Sequence, residues 1–389
     1  MIDFTLTDPQ QDLKERIDAF IRETIIPYET DERNTVHGPT EDLRVEMNDM
    51  AKAVGLFVPQ LPTEWGGQGL DHVSTAIALE AAGYSPLGPV AMHCAAPDEG
   101  NMNLLVRVAT EAQQDKWLGP LSGGVFRSCF AMTEPDGAGA DPTLKTTAVP
   151  DGDDFVINGR KWFITGAEGA GVMIIMANVP GGHGVTAGAT MFMTKPDAEG
   201  INMIRAMDTM DSSFTGGHWE IEFDNLRVPA SEVLGDVGEG FRNVQVRLAP
   251  ARLTHCMRWL GGAVRAHDIA LDYARTREAF GKTIGKHEGV GFMLADNEMD
   301  LTQARLLTWW ACDSMDKGAQ GRHQSSMAKT AVSEALFRVA DNCVQVLGGL
   351  GVASDTVVAQ MFKEIRAFRI YDGPSEVHRW AIARRILGS

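Results

Sequence analysis

The sequence predicts an α+β protein built in three successive zones: helical, then all-β, then helical again. Three observations carry this. Apolar residues fall at helical spacing up to about residue 125, the pattern changes to period two with glycine-containing turns over 126–240, and long amphipathic stretches rich in Ala, Leu and Arg return from 241 onward. The expected domains are an N-terminal α-helical domain (1–125), a middle β-barrel or sandwich domain (126–240) and a C-terminal four-helix bundle (241–389). No βαβ alternation occurs, which argues against a doubly wound nucleotide fold.

In the first zone, Thr7 or Asp8 can cap a segment whose apolar residues Leu13, Ile17, Phe20 and Ile21 share one helical face. Pro59, Pro62 and Trp65-Gly66-Gly67 interrupt the pattern, and Val73–Ala82 resumes it. In the second zone, Thr146–Val149, Phe155–Asn158 and Trp162–Thr165 read as short strands separated by the hairpin signals Asp151-Gly152 and Asn158-Gly159. Further strands are expected at Val172–Ala177, Thr190–Met193 and His218–Phe223, where alternation suggests a sheet with one solvated face. The third zone holds helices over 242–276, 288–317, 323–347 and 375–387, the last with Ser375 placed as an N-cap.

Composition narrows the function. The 389 residues include 35 Lys+Arg against 52 Asp+Glu, a formal charge of −17, with 44% apolar residues. A chain this acidic is a poor partner for nucleic-acid phosphates or an anionic membrane surface. Met1-Ile2-Asp3-Phe4 lacks the basic and apolar regions of a secretory signal, and the most apolar window, Val172–Val179, is too short to span a bilayer. A soluble, cytoplasmic protein is expected. Five scattered cysteines (Cys94, Cys129, Cys256, Cys312, Cys343) show no paired spacing and read as small apolar residues, and the ten histidines form no HExxH-like cluster, so no metal is expected.

Gly281-Lys282-Thr283 looks like the end of a phosphate loop, but Thr276 replaces the required glycine and no GxGxxG occurs anywhere. Cys129-Phe130-Ala131-Met132-Thr133-Glu134-Pro135 runs into the Gly-rich Asp136–Asp141. A strand ending in such a turn exposes backbone N–H groups that can cradle a flavin edge or a phosphate, and is equally an ordinary strand-to-loop junction. Asn158–Thr165 sets Trp162 and Phe163 beside a hydroxyl, as a flavin-stacking strand or any β core would. Gln345–Gly351 is either a helix stop or a bare backbone for a ligand. In Tyr371–Glu376, Asp372 is either a turn residue or a base aimed into a cleft.

In this order, over nearly the whole chain, these segments resemble the FAD-dependent acyl-CoA dehydrogenases. The matching run is Phe130–Pro135, Asn158–Thr165, Phe223–Pro229 before the turn Gly235–Gly240, Arg277–Lys282, Gln345–Gly349 and Tyr371–Glu376. Ala96–Met102, Gly216–Ile221, Arg247–Arg252 and Tyr371–His378 are similar to the sub-branch handling 4-hydroxyacyl chains, some of whose members carry an extra kinase-like domain for which 389 residues leave no room.

The resemblance implies α,β-dehydrogenation of an acyl-CoA, as in the β-oxidation of fatty acids, with electrons passed to an electron-transferring flavoprotein and the chains assembled as a homotetramer (a dimer of dimers). It places FAD against Phe130, Met132, Thr133, Gly139, Ala140, Phe163, Ile164 and Thr165. Across a dimer interface, Arg277, Phe280 and His287 would reach the diphosphate and adenine, with backbone contacts from Gln345, Gly348 and Gly349. Glu376 stands where the family usually has Gln near the cofactor, and Ala140 where it commonly has Ser, close to cofactor or CoA. The catalytic base would be Asp372, where most members carry Glu; Gly373 and Arg252 would lie at the thioester end. Ala251 precedes Arg252, so the alternative base position is empty of carboxylate. Burial would raise the pKa of Asp372 and the following helix N-terminus would lower it. Gly83, Gly88 and Gly100 are candidates for shaping the acyl pocket. The competing readings are a nitroalkane-oxidase-type flavin oxidase and a catalytically silent partner subunit.

Overall fold

The computed structural model describes residues 4–139, 143–181 and 186–388. In chain order its longer helices are α1 (Asp8–Ala19), α2 (Glu41–Ala53), α3 (His72–Ala82), α4 (Asp98–Val108), α5 (Gly240–Thr276), α6 (Glu288–Asp316), α7 (Arg322–Leu347), α8 (Val358–Phe368) and α9 (Ser375–Leu387). The strands are β1 (Arg127–Ala131), β2 (Thr147–Asp151), β3 (Asp154–Thr165), β4 (Ala170–Val179), β5 (Gly188–Thr194), β6 (Ile201–Ala206), β7 (His218–Pro229) and β8 (Val233–Leu234). Two compact units divide them, residues 1–31, 70–92 and 252–389 forming the first, and 32–69 with 93–251 the second.

The first unit is helical. Thr7 sits at the N-cap of α1, and the Gln10 side chain accepts its backbone N–H at 3.0 Å. Leu260, Ala263, Leu301, Val332, Leu336, Val339, Met361, Ile365 and Phe368 are buried together, so α5 through α8 share one core. Helix α8 was not foreseen from the sequence. Helices α3 and α5 pack backbone to backbone: a Cβ on Gly83 would lie 2.0 Å from the Arg258 carbonyl oxygen, and one on Gly261 would lie 2.0 Å from that of Glu80. A Cβ on Gly88 would likewise meet the Ala82 carbonyl at 2.0 Å. These glycines serve helix contact. Ser375 is not the cap of α9: Pro374 holds that position, while Ser375 Oγ donates to Glu334 Oε1 at 2.7 Å.

The second unit is built on an eight-stranded sheet in the order β8-β5-β4-β2-β3-β7-β6, with β1 pairing in parallel to β4. Phe155, Ile157, Ile164, Ile175, Phe192, Ile221 and Phe223 form its buried face. The expected turn at Asn158-Gly159 is instead a bulge within the single strand β3, where the register against β7 skips between Ile157 and Gly159. A Cβ on Gly159 would sit 2.7 Å from Thr146 Cα, so close approach of a neighbouring chain is what requires glycine. The hairpin at Asp151-Gly152 joins β2 to β3. Alternation along His218–Phe223 is incomplete because Glu220 is buried, its carboxylate paired with Arg160 at 3.0 Å and Arg205 at 2.7 Å. Gly100 packs against Arg247, whose guanidinium a Cβ there would approach at 3.4 Å. Among the described residues no helix is long and apolar enough to cross a membrane, and no group of three metal-ligating side chains occurs.

Candidate active site

In the first unit, the short link from α8 to α9 carries Tyr371-Asp372-Gly373-Pro374, with Asp372 at φ +52° and Gly373 at φ +101°. A left-handed backbone at a non-glycine residue costs about 1–2 kcal/mol, so its surroundings must hold it there. They do so through two successive carbonyls. Arg252 Nε donates to the Asp372 carbonyl at 3.1 Å, and His378 Nε2 lies 3.1 Å from the same oxygen. Lys329 Nζ, fully buried on α7, donates to the Gly373 carbonyl at 2.6 Å. A Cβ on Gly373 would stand 2.6 Å from His378 Nε2, so only glycine fits.

The carboxylate of Asp372 is itself placed. His255 Nε2 lies 3.3 Å from its Oδ2, and the imidazole packs 4.7 Å from the Tyr371 ring. Arg258 Nη2 lies 3.2 Å from the other ring nitrogen, Nδ1. A guanidinium can only donate, so Nδ1 accepts and the proton of the neutral ring sits on Nε2, facing Asp372. His378 Nε2 meets a carbonyl and so carries the proton of the neutral ring, while its Nδ1 lies 3.2 Å from Ser326 Oγ.

Burial sets the protonation of these groups. It pushes His255 and His378 down to about 4 and the Lys329 ammonium down to about 8, against the pull of the Asp372 carboxylate. It also lowers Arg252, again opposed by Asp372. At neutral pH the histidines are therefore neutral hydrogen-bonding groups, and the charge beside Asp372 comes from Arg252 and Lys329.

In the second unit, the end of β1 leads into Met132-Thr133-Glu134. Lys161 pins this segment, donating to the Met132 carbonyl at 2.9 Å and to Glu134 Oε1 at 2.8 Å, while the Trp162 N–H donates to the Thr133 carbonyl at 3.1 Å. A second bulge in β3, between Lys161 and Ile164, turns Phe163 to φ +53° with its ring 46% exposed. Ile164 points into the core and Thr165 is half-buried. The Phe130 ring lies under the Arg247 guanidinium at 4.5 Å. Gly139 is exposed, with nothing within 4 Å of the position of a Cβ, and Ala140 lies outside the described residues.

The remaining predicted positions cluster at two places in the first unit. Arg277 precedes a tight hairpin whose tip, Phe280-Gly281, has φ of +52° and +77°, and whose Phe280 ring is 96% exposed. His287 Nε2 lies 3.1 Å from the Ala279 carbonyl. Among the described residues Arg277 has no carboxylate within ion-pair distance. At the end of α7, Gln345 is exposed, and Gly348 and Gly349 have open space where a Cβ would stand. An exposed guanidinium, a solvent-facing aromatic and bare glycine backbone suit the anionic diphosphate and flat rings of a dinucleotide such as FAD. Glu376 is exposed in the first turn of α9, 4.0 Å from Arg379.

The structure thus brings Arg252, Asp372 and Gly373 together, and joins the Met132–Thr133 segment to β3. Sequence reasoning missed His255, Lys329, His378 and Lys161. A signal existed for Lys329, which falls on the helical stripe of Ser325, Val332, Leu336 and Val339, and for His255, three residues after Arg252.

With this geometry in place, comparison with known proteins is direct. Residues 7–124, 129–226 and 238–387 match the acyl-CoA dehydrogenase N-terminal, middle and C-terminal domains. FadE2 of Mycobacterium tuberculosis, whose name places it among the acyl-CoA dehydrogenases, is 35% identical over 98% of this chain and 96% of its own. Acyl-CoA dehydrogenase family member 11 of Gallus gallus is 36% identical over 96% of this chain, which spans 50% of that protein's length. Butyryl-CoA dehydrogenase from Megasphaera elsdenii superposes with a TM-score of 0.87 at 28% identity, covering 99% of this chain and 100% of the other.

Proposed function

The chain belongs to the acyl-CoA dehydrogenase family, with that family's N-terminal helical, middle sheet and C-terminal helical domains, and is an oxidoreductase; on this premise we propose that it dehydrogenates an acyl-CoA thioester at the α,β bond, with Asp372 as the base. The observation that carries the assignment is the left-handed backbone of Asp372, held through its own and the next carbonyl by Arg252, His378 and Lys329. A turn residue without a task has no need of three buried polar side chains, His255, Lys329 and His378, with Arg252 half-buried beside them.

In this reading Asp372 takes the α-proton, and FAD, when bound, supplies the acceptor for the hydride leaving the β-carbon. Asp is one methylene shorter than the Glu common in the family, so its reach depends on the backbone; His255 aligns the carboxylate, while Arg252 and Lys329 fix the peptide that carries it. The developing thioester enolate needs fixed hydrogen-bond donors, and the backbone N–H of Asp372, the residue that carries the base, is assigned that role. Phe130, Met132, Thr133, Gly139, Phe163, Ile164 and Thr165 are assigned to the flavin ring, Ile164 through its backbone. Arg277, Phe280, His287, Gln345, Gly348 and Gly349 are assigned to the diphosphate and adenine of FAD in an assembled homotetramer, with Glu376 nearby. The domain limits proposed are 1–125, 126–240 and 241–389. An electron-transferring flavoprotein is the proposed acceptor, β-oxidation the proposed setting and 4-hydroxyacyl-type chains the proposed substrates. Support for the substrate comes from the four sub-branch motifs.

The test is an anaerobic titration of the purified flavoprotein with acyl-CoAs from C4 to C20 and with 4-hydroxyacyl-CoAs, beside Asp372→Asn. Bleaching of the flavin band by the wild type alone assigns reaction and base, and ranks substrates. A fully flavinylated wild type that no acyl-CoA bleaches would refute the reading.

A further inference from the structure

A buried pair stands behind Thr165, and the chemistry described so far does not use it. Thr165 on β3 and His218 on β7 are direct partners in the antiparallel register, and their side chains meet at 2.9 Å between Oγ1 and Nδ1. The second ring nitrogen, Nε2, lies 3.1 Å from Asp211 Oδ1. The His218 and Asp211 side chains are only 10% and 8% exposed, and the Phe214 ring covers the imidazole at 5.3 Å.

Donor chemistry orders this array. Burial works to raise Asp211, but its contacts with His218 and Thr209 outweigh that and hold it below the usual carboxylate range, so it is ionised and only accepts. Nε2 donates to Asp211, so in the singly protonated ring Nδ1 is left as an acceptor, and the donor between His218 and Thr165 is the threonine hydroxyl. Its proton points inward, and its oxygen turns lone pairs outward.

We propose that Asp211 and His218 are positioning residues that fix the Thr165 hydroxyl as a hydrogen-bond acceptor toward the flavin ring, an inference that rests on the assignment of Thr165 to the flavin made above. Hydride uptake turns a bare ring nitrogen, itself an acceptor, into an N–H donor. An outward-facing acceptor pairs with the reduced ring and is mismatched to the oxidised one, so the relay raises the two-electron potential of the bound flavin. A hydroxyl free to rotate could serve either state; the histidine and aspartate remove that freedom.

The experiment is a dye-equilibrium redox titration of the purified holoprotein and its variants at pH 8. Thr165→Val and His218→Phe are expected to lower the reduced-to-oxidised ratio at fixed potential about tenfold, a shift of about 30 mV for a two-electron couple. Thr165→Ser keeps the wild-type potential, and Asp211→Leu shifts it in the same direction by less. The double variant Thr165→Val/His218→Phe shifts no further than Thr165→Val alone, because both act through one hydroxyl. A merely structural role for His218 would lower FAD affinity or thermal stability and leave the potential of the bound flavin unchanged; that result, or additive shifts in the double variant, overturns the proposal. Should His218→Phe lose FAD, Asp211→Leu carries the test, and an unchanged potential there overturns the proposal too. A wild type that holds no FAD removes the flavin assignment and this inference together, whereas FAD held with unshifted potentials removes only the inference.

Discussion

Replacing Lys161 by methionine takes a cation out of the interior of the second unit, and the cost can be worked from its contacts. The Lys161 and Glu134 side chains are 0% and 2% exposed and meet at 2.8 Å. Glu134 also accepts the Thr146 N–H at 3.0 Å and the Lys145 N–H at 2.7 Å. Burial drags the Lys161 ammonium down to about 8, whereas for Glu134 the same burial is outweighed by Lys161 and the two backbone donors, leaving it below the usual range. Both values fall, which disfavours the charge on the ammonium and favours it on the carboxylate, because two backbone N–H donors support the carboxylate in addition to Lys161. Methionine preserves the volume but strips the counter-charge from a buried carboxylate, a change worth ~3–5 kcal/mol, and the surviving N–H donors place this case near 3. Thermal unfolding should fall by about 6–12 °C at ~2–4 °C per kcal/mol. Adding Glu134→Gln, which keeps an acceptor without the charge, should recover at least about 1.5 kcal/mol. The pH dependence supplies a second reading. A lysine depressed in the folded state gives up its proton there before the unfolded chain does, so wild-type stability rises between about pH 8 and 10.4, and the variant lacks that rise. A variant within ~0.5 kcal/mol of wild type in urea, with the same alkaline trend, would refute the reasoning.

Acid should act on the first unit in the opposite window. His255 and His378 are held near 4 when folded and titrate at about 6.5 unfolded, so each contributes stability that is lost as pH falls from about 6.5 toward 4, roughly 2–3 kcal/mol apiece. Urea midpoints at pH 7, 6 and 5 should show a slope that His255→Gln and His378→Gln each reduce; an unaltered slope contradicts the assignment. All five cysteines are buried, and burial pushes the Cys256 and Cys343 thiols up to about 12. An aromatic disulfide reagent should therefore titrate no thiol in minutes on the native protein and five after unfolding, and a fast native thiol would contradict this. Gly261→Ala drives a methyl to within 2.0 Å of the Glu80 carbonyl oxygen and should cost about 2–3 kcal/mol, read as a lowered unfolding temperature; a neutral result would mean that α3 and α5 do not touch there.

What the sequence made legible and what it hid divide along one physical line. α5, α6, α7 and α9 of the C-terminal region were placed within two residues because a helix needs only its own residues to declare its period, whereas the eleven-residue α8 was missed. The pairing of strands has no such local record. Asn158-Gly159 has the composition of a hairpin turn, yet the chain runs straight through it, because Thr146 and β7 lie close enough to make the same glycine a bulge. Thr165 meets His218 only through that pairing, so neither residue announces the other.

The candidate site shows the same limit more sharply. Asp372 was recognised from its motif and Arg252 from its place in another, but the positive φ that gives Asp372 its aim is decided by groups 6 to 120 residues away in the chain. Lys329 could have been found alone, since a lysine on a stripe that continues through Val332, Leu336 and Val339 demands a buried partner. The identity of that partner, a main-chain carbonyl rather than a carboxylate, could not. A side chain engaged with another side chain leaves two polar letters in the sequence, whereas one engaged with backbone leaves a single letter. Around Asp372 three cationic or imidazole side chains bind main-chain oxygens, which is why a site so densely built was only half legible.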